Sequence, residues 1–233
     1  MPSLSIDQQY CGPPNSGNGG YACGLLAQRI DGPSRVRLHA PPPLNTSLNI
    51  VETDTHVELR DDQRLIASAQ PAKAPTSPPA APSLAQACAA REHFKGFVQH
   101  NFTSCFVCGP QRQPGEGLCL FTGPVSHTNL VACDWIALPA FTDENGLVKP
   151  EFVWSALDCP SFFGLDLPYV DGKVLLLGEM QAAILQPLPS DQSLVVYGWK
   201  RNIEGRKHYA GAAIANANGD ILAHAEHLWI EIK

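Results

Sequence analysis

The chain has 233 residues, of which 44% are hydrophobic and 16% charged, with a formal net charge of −6. That length and composition allow one large or two small domains with a true core. An acidic balance argues against nucleic acid as the main partner, because phosphate binding needs a basic surface. There is no run of 18 apolar residues, so no membrane span is expected, and the start "MPSLSIDQQY" lacks the basic-then-apolar pattern of a signal peptide. A cytoplasmic protein is the expectation. The eight cysteines (Cys11, Cys23, Cys88, Cys105, Cys108, Cys119, Cys133 and Cys159) then read as thiols rather than disulfides.

In chain order, the first feature is "NSGNGGYACGLLAQ", residues 15–28, a glycine-rich stretch running into a helix. Glycines at a helix start let a ligand or another backbone approach the exposed N–H groups at the positive end of the dipole. The alternative is a loop that turns a corner. Three strand-like segments follow: "SRVRLHAPPPL", "LNIVETDTHVELR" and "QRLIASAQ". Residues 71–83, "PAKAPTSPPAAPS", hold five prolines and read as a linker or exposed loop. They divide the chain into residues 1–83 and 84–233.

The second part includes "HNFTSCFVCGPQR", which contains a single Cys-x-x-Cys, Cys105 and Cys108, near Cys88, His93 and His100. Zinc is conceivable there, but a second pair at matching spacing is missing. A tight turn with buried thiols is the expectation, and neither metal nor cofactor is expected. "EFVWSALDCPSFFG" has helical spacing that puts Phe152, Val153, Leu157 and Phe163 on one broad apolar face. Four strand-like segments follow: "KVLLLGEMQAAILQPL", "SLVVYGW", "RKHYAGAAIAN" and "DILAHAEHLWIEI". Asn218-Gly219 signals a hairpin between the last two.

Each part therefore reads as a helix followed by antiparallel strands. "LIASAQ" (65–70) and "ILAHAE" (221–226) match in pattern. Pro43 to Ala67 spans 24 residues and Pro187 to Ala223 spans 36, so the first half is shorter by about one strand and its turn. The order is that of an internal repeat, a pseudo-dimer in one chain.

A helix opened by a glycine pair and wrapped by a long antiparallel sheet resembles the hotdog fold. Two such units resemble the double-hotdog acyl-CoA thioesterases, on "NGGYACGLLA", "VRLHAPPPL" and "GRKHYAGAAIANANGDILAHAEHLWI". The resemblance implies an α+β double hotdog, an acyl-CoA or other acyl thioester as partner, and a homo-oligomer. In many such enzymes the helix begins His-Gly-Gly, with an acid nine positions after the His. Here Asn18 takes the His place before Gly19 and Gly20, and the ninth residue on is Ala27. In the second half the acid is Asp158, and nine residues before it stand Lys149, Pro150 and Glu151.

The resemblance thus implies one site built across the halves, from Asn18, Gly19, Gly20 and Asp158, with the Pro150/Ala27 counterpart empty. The other reading of Asp158 is a residue that closes a local turn with Ser161. A second pattern of the fused thioesterases puts an acid on the long strand eight residues before a proline, with a Thr and a Gln on later strands. Glu179 fits the acid, while Asn202 and His227 stand near the other two places. Finally, "WKRNIEGRKHY" gathers Arg201, Arg206, Lys207 and His208, either a clamp for coenzyme A phosphates or a solvated hairpin. The rival to a hydrolase is a non-catalytic hotdog protein that binds acyl thioesters or only assembles.

Overall fold

A computed structural model describes residues 2–166 and 174–232. The first half contributes β1 (Ser3–Leu4), α1 (Gly19–Ala27), β2 (Ser34–Leu38), β3 (Leu48–Glu52), β4 (Val57–Asp61) and β5 (Arg64–Pro71). The second contributes α2 (Leu84–Arg91), β6 (Gly123–Pro124), β7 (Leu130–Trp135), α3 (Pro150–Gly164), β8 (Val174–Ile184), β9 (Leu194–Glu204), β10 (Lys207–Asn216) and β11 (Ile221–Ile232).

All eleven strands form one sheet in the order β1-β3-β4-β5-β2-β8-β11-β10-β9-β7-β6, and every pairing is antiparallel. That order mirrors itself about the β2–β8 seam from β1 to β7, with β6 as an extra strand at the second half's edge. Each half supplies a core helix followed by four strands, preceded by β1 in the first half and by α2, β6 and β7 in the second, with β5 matching β11 as the two "LIASAQ"-type segments anticipate. The halves join where Ser34 faces Ala182 and Arg37 faces Glu179. The fold is an α+β double hotdog.

The first half's shortness is not a missing strand. Its four strands after the helix are 5, 5, 5 and 8 residues long, against 11, 11, 10 and 12 in the second half. "LNIVETDTHVELR" is two strands, β3 and β4, around a turn in which Thr53 Oγ1 donates to the His56 carbonyl at 2.8 Å. A deficit counted in residues does not distinguish fewer strands from shorter ones. The Asn218-Gly219 turn joins β10 to β11, with Gly219 at φ 89°.

The two long helices lie in the core. Pro150 starts α3, where a missing N–H costs nothing, and Glu151 sits in the first turn at the positive end of the dipole. Twelve of its fifteen residues are buried, so the helix is covered nearly all round rather than along one face. Its underside rests on β9, where a Cβ added at Gly198 would stand 2.0 Å from the Pro160 carbonyl oxygen.

α1 packs antiparallel against α3. Gly20 lies beside Trp154, Ser155 and Asp158, and Gly24 lies beside Glu151 and Trp154. A Cβ on Gly24 would stand 2.6 Å from the Glu151 Cα. Small residues here let the two backbones touch.

The proline-rich segment runs across the outer face of the second half's strands. The Tyr197 hydroxyl donates to the Pro79 carbonyl at 2.8 Å, and Thr76 N–H donates to Glu226 at 3.0 Å. α2, capped by a reciprocal Ser83–Gln86 box, closes a second small core on that face with Ala132, Val195 and Tyr197. Among the described residues, no helix is long and apolar enough to cross a membrane.

Gly24→Ala tests the helix contact at a position remote from the cavity described below. Overpacking there should cost about 1–3 kcal/mol of folding stability. A denaturation midpoint equal to that of the parent protein would mean that the helices are not this close.

Candidate functional site at the helix junction

Asn18 is the N-cap of α1, and its Oδ1 accepts from Tyr21 N–H at 2.9 Å, as Asn does well at that position. The same side chain turns its Nδ2 outward and donates to Asp158 Oδ2 at 2.8 Å. Gly20 N–H donates to the same oxygen at 2.9 Å. A carboxylate from α3 is thus held by the N-terminus of α1, and the two halves meet at this point.

Asp158 is 2% exposed. Burial pushes its carboxyl up to about 7, against the pull of the Gly20 N–H and Asn18 bonds, while nearby Cys105 pushes the same way as burial. Its second oxygen, Oδ1, is buried and has no partner among the described residues. Gly19 N–H, the first of the helix, likewise donates to no described group. One carboxylate oxygen is anchored, and the other has no partner among the described residues.

The Asp158 carboxylate does not close a local turn. Ser161 Oγ donates to the Asp158 backbone carbonyl at 2.7 Å and accepts from Trp229 Nε1 at 2.8 Å. That chain ties α3 to β11 and leaves the carboxylate to α1.

Gly19 and Asp158 both line a cavity of about 720 Å³. The start of β8 and the end of β11 supply Leu175, Leu177, Trp229 and Ile230, and α3 supplies Phe162 and Phe163. The wall is therefore mostly aliphatic and aromatic, with Asn18, Asp158, His39 and His100 among its few polar side chains. Volume and lining are those of a site for a small apolar ligand with few polar anchors. Cys105, Cys108 and Cys159 also face it.

Glu179 stands elsewhere. Leu175 and Leu177 are buried, and simple alternation would turn Glu179 inward as well. The β8–β11 register slips between Leu228 and Trp229, so that Leu228 faces Glu179 and Trp229 faces Leu177. Gly178 is the extra residue of this bulge, and beyond it the buried positions are Met180 and Ala182. Glu179 consequently meets Arg35 across the β2–β8 seam at 3.6 Å, its side chain 30% exposed.

The basic cluster is also away from the wall. Arg201 pairs with Glu226 at 2.6 Å, Arg206 and Lys207 are exposed at the β9–β10 turn, and buried His208 faces Glu231 at 3.5 Å. Of the two residues considered with Glu179, Asn202 is exposed on β9 and His227 is buried on β11, where desolvation pulls its imidazole down to about 3. At the pseudo-symmetric end of the helix pair, Gln28 donates to Glu151 at 3.1 Å, and Pro150 has no N–H to offer.

Cys105 and Cys108 sit in a tight buried turn closed by Gly109 N–H donating to the Cys105 carbonyl at 2.9 Å. Spacing alone did not reveal that Cys159, next to Asp158, joins them. Cys88 is exposed on α2, on the outer face. Trp229 was equally hidden from sequence reasoning, since nothing marks it among the apolar residues of β11.

No protein-family model matches the chain, and no curated protein matches it by sequence. Solved structures do. A tesB protein of Mycobacterium avium subspecies paratuberculosis is 10% identical with a TM-score of 0.63, over 99% of this chain and 92% of that one. The acyl-CoA thioesterase II TesB2 of Mycobacterium marinum is 10% identical with a TM-score of 0.62, over the same shares.

Asn18→Ala removes both a helix cap and one of the two anchors of a buried carboxyl. It should lower stability by about 1–3 kcal/mol while leaving the fold intact by circular dichroism. No loss would mean that the cap and the Asp158 contact carry no weight. Taken over their whole length, the structural matches identify the chain as having the fold of the double-hotdog thioesterases.

Proposed function

We propose that the protein hydrolyses acyl thioesters, acyl-CoA being the expected form, at the junction of α1 and α3. The observation that carries this reading is the split use of Asp158: Oδ2 is held by Asn18 and Gly20, Oδ1 has no partner among the described residues, and Asp158 and Gly19 line the same cavity.

The acyl chain lies against Leu175, Leu177 and Trp229, and the thioester carbonyl points at Gly19 N–H. Asp158 Oδ1 takes a proton from water as the water oxygen attacks the carbonyl carbon. The oxyanion that develops faces the helix end, where an amide dipole is already oriented towards it. Collapse breaks the C–S bond, and the departing thiolate takes the proton back from Asp158. Asn18 and Gly20 are positioning residues, since they fix the carboxylate without touching the reacting atoms. Glycine at 19 keeps the approach open, because even a Cβ there would stand 2.9 Å from Leu177 Cδ2.

Asp158→Asn keeps the shape and can still accept from Gly20 N–H, so it should fold and bind acyl-CoA while losing about 100-fold or more in rate. Gly19→Val should weaken binding as well, and Glu179→Gln should be silent. The assay is thiol release over a panel of acyl chain lengths, presented both on coenzyme A and on a short thiol. Full activity in Asp158→Asn with loss in Glu179→Gln would move the chemistry to the strand acid. A wild-type protein that binds the panel and cleaves none of it would be a thioester-binding protein instead.

A further inference from the structure

We propose that Cys105, Cys108 and Cys159 form a zinc site whose fourth position opens into the cavity beside Asp158. The three sulfurs come from two distant stretches of chain, yet all lie within 4.8 Å of one another. All three residues are buried.

The spacing of the Cys105 and Cys159 sulfurs fits a metal. Zinc–thiolate bonds of about 2.3 Å at tetrahedral angles put neighbouring sulfurs about 3.8 Å apart. Cys105 and Cys159 stand at 3.7 Å. The Cys-x-x-Cys turn supplies two ligands at zinc-like spacing, and its backbone is fixed by the Gly109 bond to the Cys105 carbonyl. A side chain at Gly109 would stand 2.5 Å from both the Thr103 and Cys105 carbonyl oxygens, so the turn has no slack. The third ligand comes from α3, a rigid element buried on nearly every side.

Two of the other four buried cysteines differ. Cys23 on α1 and Cys133 on β7 are fully buried members of the main hydrophobic core and belong to no group of metal-ligating side chains. Among the described residues the cluster is also not a sealed structural site with four protein ligands. Among the described residues no fourth His, Cys, Asp or Glu atom lies within the same 4.8 Å set. All three cysteines contribute to the cavity wall, as does Asp158, whose buried Oδ1 has no partner. Three protein ligands and one open position are the arrangement of zinc sites that take water or a substrate atom. Each thiol gives up its proton when the metal binds.

The test needs no thioester, so it stands apart from the hydrolase reading. The full-length protein is stripped with a chelator under reducing conditions and titrated with zinc alone against a chromophoric competitor, then with cobalt(II). One metal per chain is expected, and cobalt should show thiolate-to-metal charge transfer in the near ultraviolet. Cys159→Ser and Cys105→Ser should each weaken zinc binding more than about 100-fold, beyond the effect of losing an outer-shell partner. Cys88→Ser should bind as the parent does. Should the cysteine variants misfold, the cobalt spectrum of the parent protein decides. The proposal is overturned if the reduced parent takes up no zinc, if cobalt binds without a thiolate band, or if folded Cys159→Ser keeps full affinity.

Discussion

The contact of α1 with α3 governs the molecule. The glycines at 20 and 24 let the helices approach until backbone meets backbone, with Gly20 against Trp154 and Asp158 and Gly24 against Glu151. Only at that separation does the Asp158 carboxyl reach the first turn of α1. A side chain at position 20 would stand 2.6 Å from the Asp158 Cβ, in the space the carboxylate's own stem requires. The residue that joins the halves is thus the residue that builds the site.

The same contact breaks the symmetry of the repeat. Strand order mirrors itself about the β2–β8 seam except for the extra edge strand β6, and each half contributes one helix to the central pair. The two ends of the helix pair are nonetheless chemically different. One has Asn18, two glycines and a buried acid. The other has Pro150, which lacks an N–H, and a solvent-facing Gln28–Glu151 bond. A fused pair needs only one competent junction, because a single chain brings both halves together every time. The second junction is then free to serve packing alone.

Burial sets the electrostatics of the junction. An aspartate with 2% of its surface exposed cannot hold its charge as easily as one in water, and two hydrogen bonds to one oxygen offset that cost only in part. Asp158, with one oxygen left without a partner, lines a cavity whose wall is mostly apolar, with three thiols and a few polar side chains such as Asn18, His39 and His100. A polar atom in such a setting is costly unless something occupies the space before it, which ties the cavity and the carboxylate to one purpose.

Much of the fold was legible from local pattern. Alternation marked the strands, Asn218-Gly219 marked the last hairpin, the glycine pair marked the start of the first helix, and the apolar spacing of "EFVWSALDCPSFFG" marked the second. These signals survive without tertiary context because turn chemistry and side-chain period act over a few residues. The repeat was visible as well, whereas the meeting of Asn18, Gly19 and Gly20 with Asp158 was implied only by the resemblance to the hotdog thioesterases, whose motif is split between the two halves. Three features were decided only in the folded chain. The bulge at Gly178 shifted the phase of β8 and turned Glu179 from the interior to Arg35, and an isolated strand cannot show a bulge that exists only against its partner. The twelve residues absent from the first half came off strand lengths rather than strand number, because length is set by what the neighbouring strand can pair. The gathering of Cys159 with Cys105 and Cys108 required a loop and a helix 51 residues apart to meet, and no spacing rule reads contacts across that distance.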